Sequence, residues 1–159
     1  MKIYSGNSYA TVTLTTGGGF IASVGHFFRG EPLYLEGGIK VAKVELSKTY
    51  DYFIGFCEYK KPTKVGIVDL DVGDTVIIRT DNRDIEVKIV EVLPLGKYYK
   101  YKFTPRDITK GDSGSPVIYD DMVVGYVTHE IAFNSIAPVL EAIYKWIKKL
   151  SKSSASSQF

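Results

Sequence analysis

The stretch Gly111-Asp112-Ser113-Gly114-Ser115-Pro116 sets a serine hydroxyl between glycines, an arrangement with a chemical use. Gly111 lets the backbone bend so that amide N–H groups converge on one point, and Gly114 leaves room for a substrate to approach. A serine hydroxyl is a poor nucleophile at neutral pH. It needs an adjacent base, and the base needs a group that orients it. The chain holds two histidines. His26 closes the apolar run Ala22-Ser23-Val24-Gly25-His26, and His129 follows a run predicted as a strand. Asp51, at the start of Tyr52-Phe53-Ile54, is the best candidate for the orienting carboxylate, with Asp69, Asp71 and Asp74 as substitutes. Each has a bland counterpart: a Gly-Ser turn, a strand-end histidine and a strand-start aspartate.

The elements that must hold these residues read mostly as short strands. Runs of β-branched and aromatic residues predict strands over 9–14, 19–24, 39–46, 52–57, 65–70, 75–80 and 122–128. Ile85, Val87 and Ile89 alternate with Glu86 and Lys88, and the parity changes at Val90, which predicts a bulge. Lys60-Lys61-Pro62-Thr63 reads as a connector between an N-terminal unit over 1–60 and a second over 65–137. In Tyr98-Tyr99-Lys100-Tyr101-Lys102-Phe103 aromatics interleave with cations, which fits base stacking but is explained by a half-buried strand carrying Tyr99, Tyr101 and Phe103 on one face. Only the end is helical: Pro138 suits a first turn, and Leu140, Ile143, Ile147 and Leu150 share a face over 138–150. Residues 151–159, rich in serine, read as a disordered tail. The fold class is all-β with a C-terminal α-helix, as two small barrels or a sandwich.

Composition narrows the field. A chain of 159 residues with 45% hydrophobic residues builds one or two small domains. A net charge of +2 is far from the footprint of a dedicated nucleic-acid binder. The single cysteine, Cys57, excludes an internal disulfide framework and a multi-thiolate zinc site, and reads as a buried, inert thiol. No metal or cofactor is expected. No apolar run is long enough to span a bilayer, and the polar start gives no secretory signal, so the expected location is cytoplasmic.

Gly-Asp-Ser-Gly-Ser-Pro resembles the nucleophile motif of the chymotrypsin/trypsin-like serine proteases, and the chain order His26, Asp51, Ser113 matches that family. Ser23-Val24-Gly25-His26 and Asp51-Tyr52-Phe53-Ile54 resemble its histidine and aspartate segments. Val123-Val124-Gly125-Tyr126-Val127-Thr128 resembles the strand bordering its substrate cleft. The likeness spans roughly residues 10–150, with gaps shorter than in the digestive enzymes and closer to compact viral and bacterial members.

The resemblance implies two antiparallel six-stranded-type β-barrels with the active site between them. It also implies a serine endopeptidase working through an acyl-enzyme. Ser113 would attack, His26 would act as base, Asp51 would orient it, and the Gly111 and Ser113 amides would form the oxyanion hole. Asp107, six residues before Ser113, stands where trypsin-like members carry the aspartate that favours Lys or Arg at the cleaved bond. Thr128, His129 and Glu130 would present backbone and side chains to an extended peptide. The family's new N-terminus, its usual partner for the aspartate before the serine, is absent near Met1, so Asp112 needs another partner. A second reading is a protease-fold capsid or binding protein that cleaves itself at most once. A third is a β-barrel nucleic-acid binder.

Overall fold

The computed structural model describes residues 1–157. The first half contains β1 (Lys2–Ser5), β2 (Ser8–Thr11), β3 (Leu14–Thr15), β4 (Phe20–Val24), β5 (Leu33–Leu35), β6 (Ile39–Lys40), β7 (Ala42–Ser47) and β8 (Tyr52–Phe56). They form two four-stranded antiparallel sheets, ordered β2-β1-β5-β6 and β3-β4-β8-β7. The chain crosses between the sheets twice, at Val12 and Thr13 and again at Val41. Backbone donors keep partners at both corners: Val12 N–H to Met1 O at 2.8 Å, Thr13 N–H to Ala22 O at 2.8 Å and Val41 N–H to Leu33 O at 3.1 Å. Strands that switch sheets at such bends wrap two sheets around one core, here built on Ile3, Ile21, Leu35 and Phe53 with Cys57 at its margin. The runs predicted over 9–14 and 39–46 are therefore each split by a corner. Counting each cornered pair as one strand, this half has six.

The second half contains β9 (Thr75–Arg79), β10 (Asp84–Leu95), β11 (Tyr98–Phe103), β12 (Pro116–Tyr119), β13 (Met122–His129) and β14 (Ala132–Ser135). They close a six-stranded barrel in the order β10-β11-β14-β13-β12-β9. In β10 the alternating Ile85, Val87 and Ile89 point into the core, and the register slips between Ile89 and Glu91, where the parity of the sequence changes. Tyr101 and Phe103 are buried as expected. Tyr99, near the start of β11, is 47% exposed instead. The strand predicted over 65–70 does not form. A closed barrel has no free edge to offer it, and Val65 makes only an isolated bridge to Val123 while Leu70 plugs the barrel core.

Helix α1 (Ala137–Ser157) follows β14 directly. Its Val139, Ala142 and Ile143 join Leu14, Phe20 and Ile54 of the first half and Val123 and Tyr126 of the second in one buried cluster. Residues 151–157, expected as tail, continue the helix, since no Gly or Pro interrupts them; residues 158–159 lie outside the described residues. Among the described residues no helix is long and apolar enough to cross a membrane.

Candidate active site

Strands β4 and β8 pair with Val24 opposite Tyr52, so the residues just past one and just before the other meet. Gly25 N–H donates to Asp51 O at 2.9 Å. A Cβ on residue 25 would lie 3.0 Å from Tyr52 O and 3.2 Å from Asp51 Oδ1, which is why glycine precedes the histidine. Asp51 takes a left-handed conformation, φ +54°, that aspartate tolerates better than most residues. The carbonyl before it, Tyr50 O, is fixed from the second barrel by Tyr126 Oη at 2.6 Å and Asn134 Nδ2 at 2.9 Å. One Asp51 oxygen accepts His26 N–H at 2.8 Å, and the other faces His26 Nδ1 at 2.8 Å. A carboxylate beside Nδ1 selects the tautomer protonated there and leaves Nε2 free to accept a proton.

Ser113 follows a 3-10 turn, Lys110–Asp112. Gly114 has φ +89°, and a Cβ there would fall 2.2 Å from Thr11 O, so only glycine lets the serine loop press this close to the first barrel. The loop is held on both sides. Thr11 N–H donates to Ser113 O at 2.8 Å, Thr13 Oγ1 donates to Gly114 O at 2.6 Å, and Gly114 N–H donates to Val127 O at 2.8 Å. His26 and Ser113 line one cleft of about 550 Å³ between the barrels, together with Lys110, Thr128, His129 and Glu130. Among the described residues no hydrogen bond joins His26 to Ser113. Thr128 bulges out of register between Val127 and His129, its side chain buried and its hydroxyl on Ala132 O. The His129 ring lies parallel to that of His26, centroids 6.1 Å apart. Burial pushes the His129 imidazole below its ordinary value, and the Lys100 ammonium adds to this.

Two expectations are revised. The Gly111 and Ser113 amides do not converge on an oxyanion: Ser113 N–H donates to Lys110 O at 3.4 Å, so a carbonyl sits against one of the two donors. The cause is a capping box at the head of the turn, in which Asp112 accepts Thr109 N–H at 3.0 Å and Thr109 Oγ1 at 3.1 Å. The spacing Thr109-x-x-Asp112 was a readable signal for that turn. Asp107 is exposed and outside the cleft, with Ile108 lining it instead. The Asp107 carbonyl accepts a bond from the Arg83 guanidinium. Asp112 finds its partners in Thr109 and in Arg83, whose guanidinium stands 3.7 Å away. Cys57 is buried, and burial pushes its thiol up, away from the reactive thiolate. Among the described residues no group of three or more His, Cys, Asp or Glu side chains could hold a metal ion.

No protein-family model and no curated protein sequence matches the chain. Solved structures do. An M. tuberculosis protease in its inactive form superposes with a TM-score of 0.68 at 18% identity, over 91% of this chain and 86% of that one. Its active form gives 0.62 at 15% identity, over 84% and 73%. A serine endoprotease from Yersinia pestis gives 0.71 at 16%, over 92% of this chain and 62% of that one. An inactivated protease paralogue of the scabies mite gives 0.71 at 10%, over 92% and 91%. The chain has the chymotrypsin-like double-barrel fold.

Proposed function

We propose that the protein is a serine endopeptidase that cleaves extended peptides through an acyl-enzyme. The observation that carries this reading is the His26–Asp51 pair, held at 2.8 Å through both carboxylate oxygens, in the same cleft as Ser113. Fold alone would not suffice, since the same barrels host inactive proteins.

Ser113 Oγ attacks the scissile carbonyl while its proton passes to His26 Nε2. The C–O bond forms as the carbonyl π pair moves onto oxygen. Asp51 holds the imidazole in the working tautomer and stabilises the imidazolium. Collapse of the tetrahedral adduct breaks the C–N bond, and His26 returns the proton to the departing amine. Water then enters by the same route, gives a proton to His26 and attacks the ester. As that adduct collapses the C–Oγ bond breaks, His26 returns the proton to Ser113 Oγ and the acid product leaves. The oxyanion needs two donors, and one such donor is worth about 10²–10³ in rate. The Lys110–Gly111 peptide must therefore turn, taking Lys110 O off Ser113 N–H, before the site is competent.

Expectation of a Lys or Arg preference rested on Asp107 and goes with it. Glu130 is the carboxylate that lines the cleft, and Lys110 lines it too. A fluorophosphonate probe tests the reading. It labels the wild-type protein, does not label Ser113→Ala, and the wild type turns over added peptides repeatedly. Folded protein that shows no Ser113-dependent labelling makes this a protease fold used for binding.

A further inference from the structure

We propose that Lys2 is a positioning residue for the serine loop, fixing the Gly111–Asp112 peptide as the pivot on which the oxyanion hole opens. This rests on the protease reading. The Lys2 ammonium has three donors, and three acceptors meet them: Gly111 O at 2.7 Å, Thr11 Oγ1 at 3.0 Å and Asp81 Oδ2 at 3.3 Å. Lys2 and Thr11 belong to the first two strands, Asp81 to the turn after β9, and Gly111 to the serine loop. One side chain therefore ties both barrels to the segment that must move. Thr11 Oγ1 adds a second bond to Gly111 O at 2.9 Å. On the other side of the same peptide, Asp112 N–H donates to Thr109 O at 3.0 Å. Tyr9 closes the slot: a Cβ on Gly111 would lie 2.8 Å from its ring edge, and Lys2 Nζ stands 5.8 Å from the ring centre.

The Gly111–Asp112 peptide is thus held at its carbonyl by two donors and at its N–H by a carbonyl. The preceding Lys110–Gly111 peptide is held through Lys110 O by one long contact, 3.4 Å to Ser113 N–H, beyond the usual range for such a bond. Rotation of that unit about the bonds flanking it moves Lys110 O away and swings Gly111 N–H towards Ser113 N–H. The Gly111 carbonyl need not move. Lys2 confines the change to one peptide unit, and without it the loop would have two units to order around each oxyanion.

The test compares Lys2→Met, which keeps the stem and loses the donors, with Lys2→Arg and the wild type. Amide hydrogen exchange reads the loop without needing activity, and steady-state peptide hydrolysis reads its consequence. In Lys2→Met, exchange at Asp112 and Ser113 rises about tenfold or more while β10 amides hold. The value of kcat falls about tenfold with KM within about twofold, the mark of a contact that matters in the transition state, and Lys2→Arg recovers most of both. Thr11→Val, which removes the second donor on Gly111 O, moves the same two amides in the same direction. Unchanged exchange at Asp112 and Ser113, or exchange that rises equally through both barrels, overturns the proposal. Loop exchange that responds to Lys2→Met in a protein whose Ser113 never labels upholds the pivot and overturns the protease reading instead.

Discussion

Asp51 serves two atoms of His26 at once, and its φ of +54° narrows what can replace it. Asparagine tolerates the left-handed region and can still accept His26 N–H, so Asp51→Asn should fold with stability within about 1 kcal/mol of the wild type. Its amide, however, turns a donor towards Nδ1 and shifts the ring proton to Nε2, the nitrogen that must accept. The expected result is a loss of about 10⁴ in kcat with Tm little changed; a variant retaining a tenth of wild-type activity would remove Asp51 from the orienting role. At this scale the sequence was most readable. The candidate nucleophile, base and carboxylate are marked by side-chain type, and the type shows. The state of the oxyanion hole turns on one backbone carbonyl, a group every residue carries, so only the capping-box spacing at Thr109 and Asp112 hinted at it. The contact of Lys2 with Gly111, 109 residues away in sequence, left no local trace.

Strands were legible wherever one face is buried. Ile85, Val87 and Ile89 mark β10 and its bulge because alternation and burial are the same fact there. The corners at Val12 and Val41 were not, since a strand that changes sheets keeps both its hydrogen bonds and its apolar residues. The helix shows a third case. Helical spacing placed Leu140, Ile143, Ile147 and Leu150 on one face, but only the first part of α1 is buried. Ile143 is 4% exposed, whereas Ile147 and Leu150 are each 47% exposed. Trp146 is tethered by its indole N–H to Glu45 Oε1 at 2.9 Å. Ile143→Ala should therefore cost about 2–5 kcal/mol in denaturant unfolding. Ile147→Ala, equal in chemistry, should stay within about 0.5 kcal/mol. Equal costs at the two positions would mean that the outer half of the helix is docked as well.

The barrels are joined by the mixed cluster under α1, by the Tyr50 carbonyl held from Tyr126 and Asn134, and by Lys2 reaching Asp81. Two groups, His129 in the cleft and Asp81 beside Lys2, couple folding to acid, and their signs agree. His129 sits below its ordinary value because of burial and the Lys100 ammonium. The unfolded chain then binds its proton first, and stability declines as pH falls below about 6.5. Burial pushes the Asp81 carboxyl up, but the ammonium groups of Met1 and Lys2 outweigh it and hold it below its ordinary value. Its contribution is complete above about pH 4 and is lost as pH falls through the lower folded value. Glu141, held at about 2 chiefly by the Tyr98 hydroxyl and Lys97, has the same sign but stands in solvent and adds little. Thermal unfolding followed from pH 8 to pH 2 should thus weaken in two steps. His129→Gln should remove the shallow upper one. Asp81→Asn should lower Tm at neutral pH and converge on the wild type as pH falls through the lowered folded value, since both then lack the charge that Lys2 faces. An Asp81→Asn curve parallel to the wild type throughout would mean that this carboxylate does not fasten the barrels.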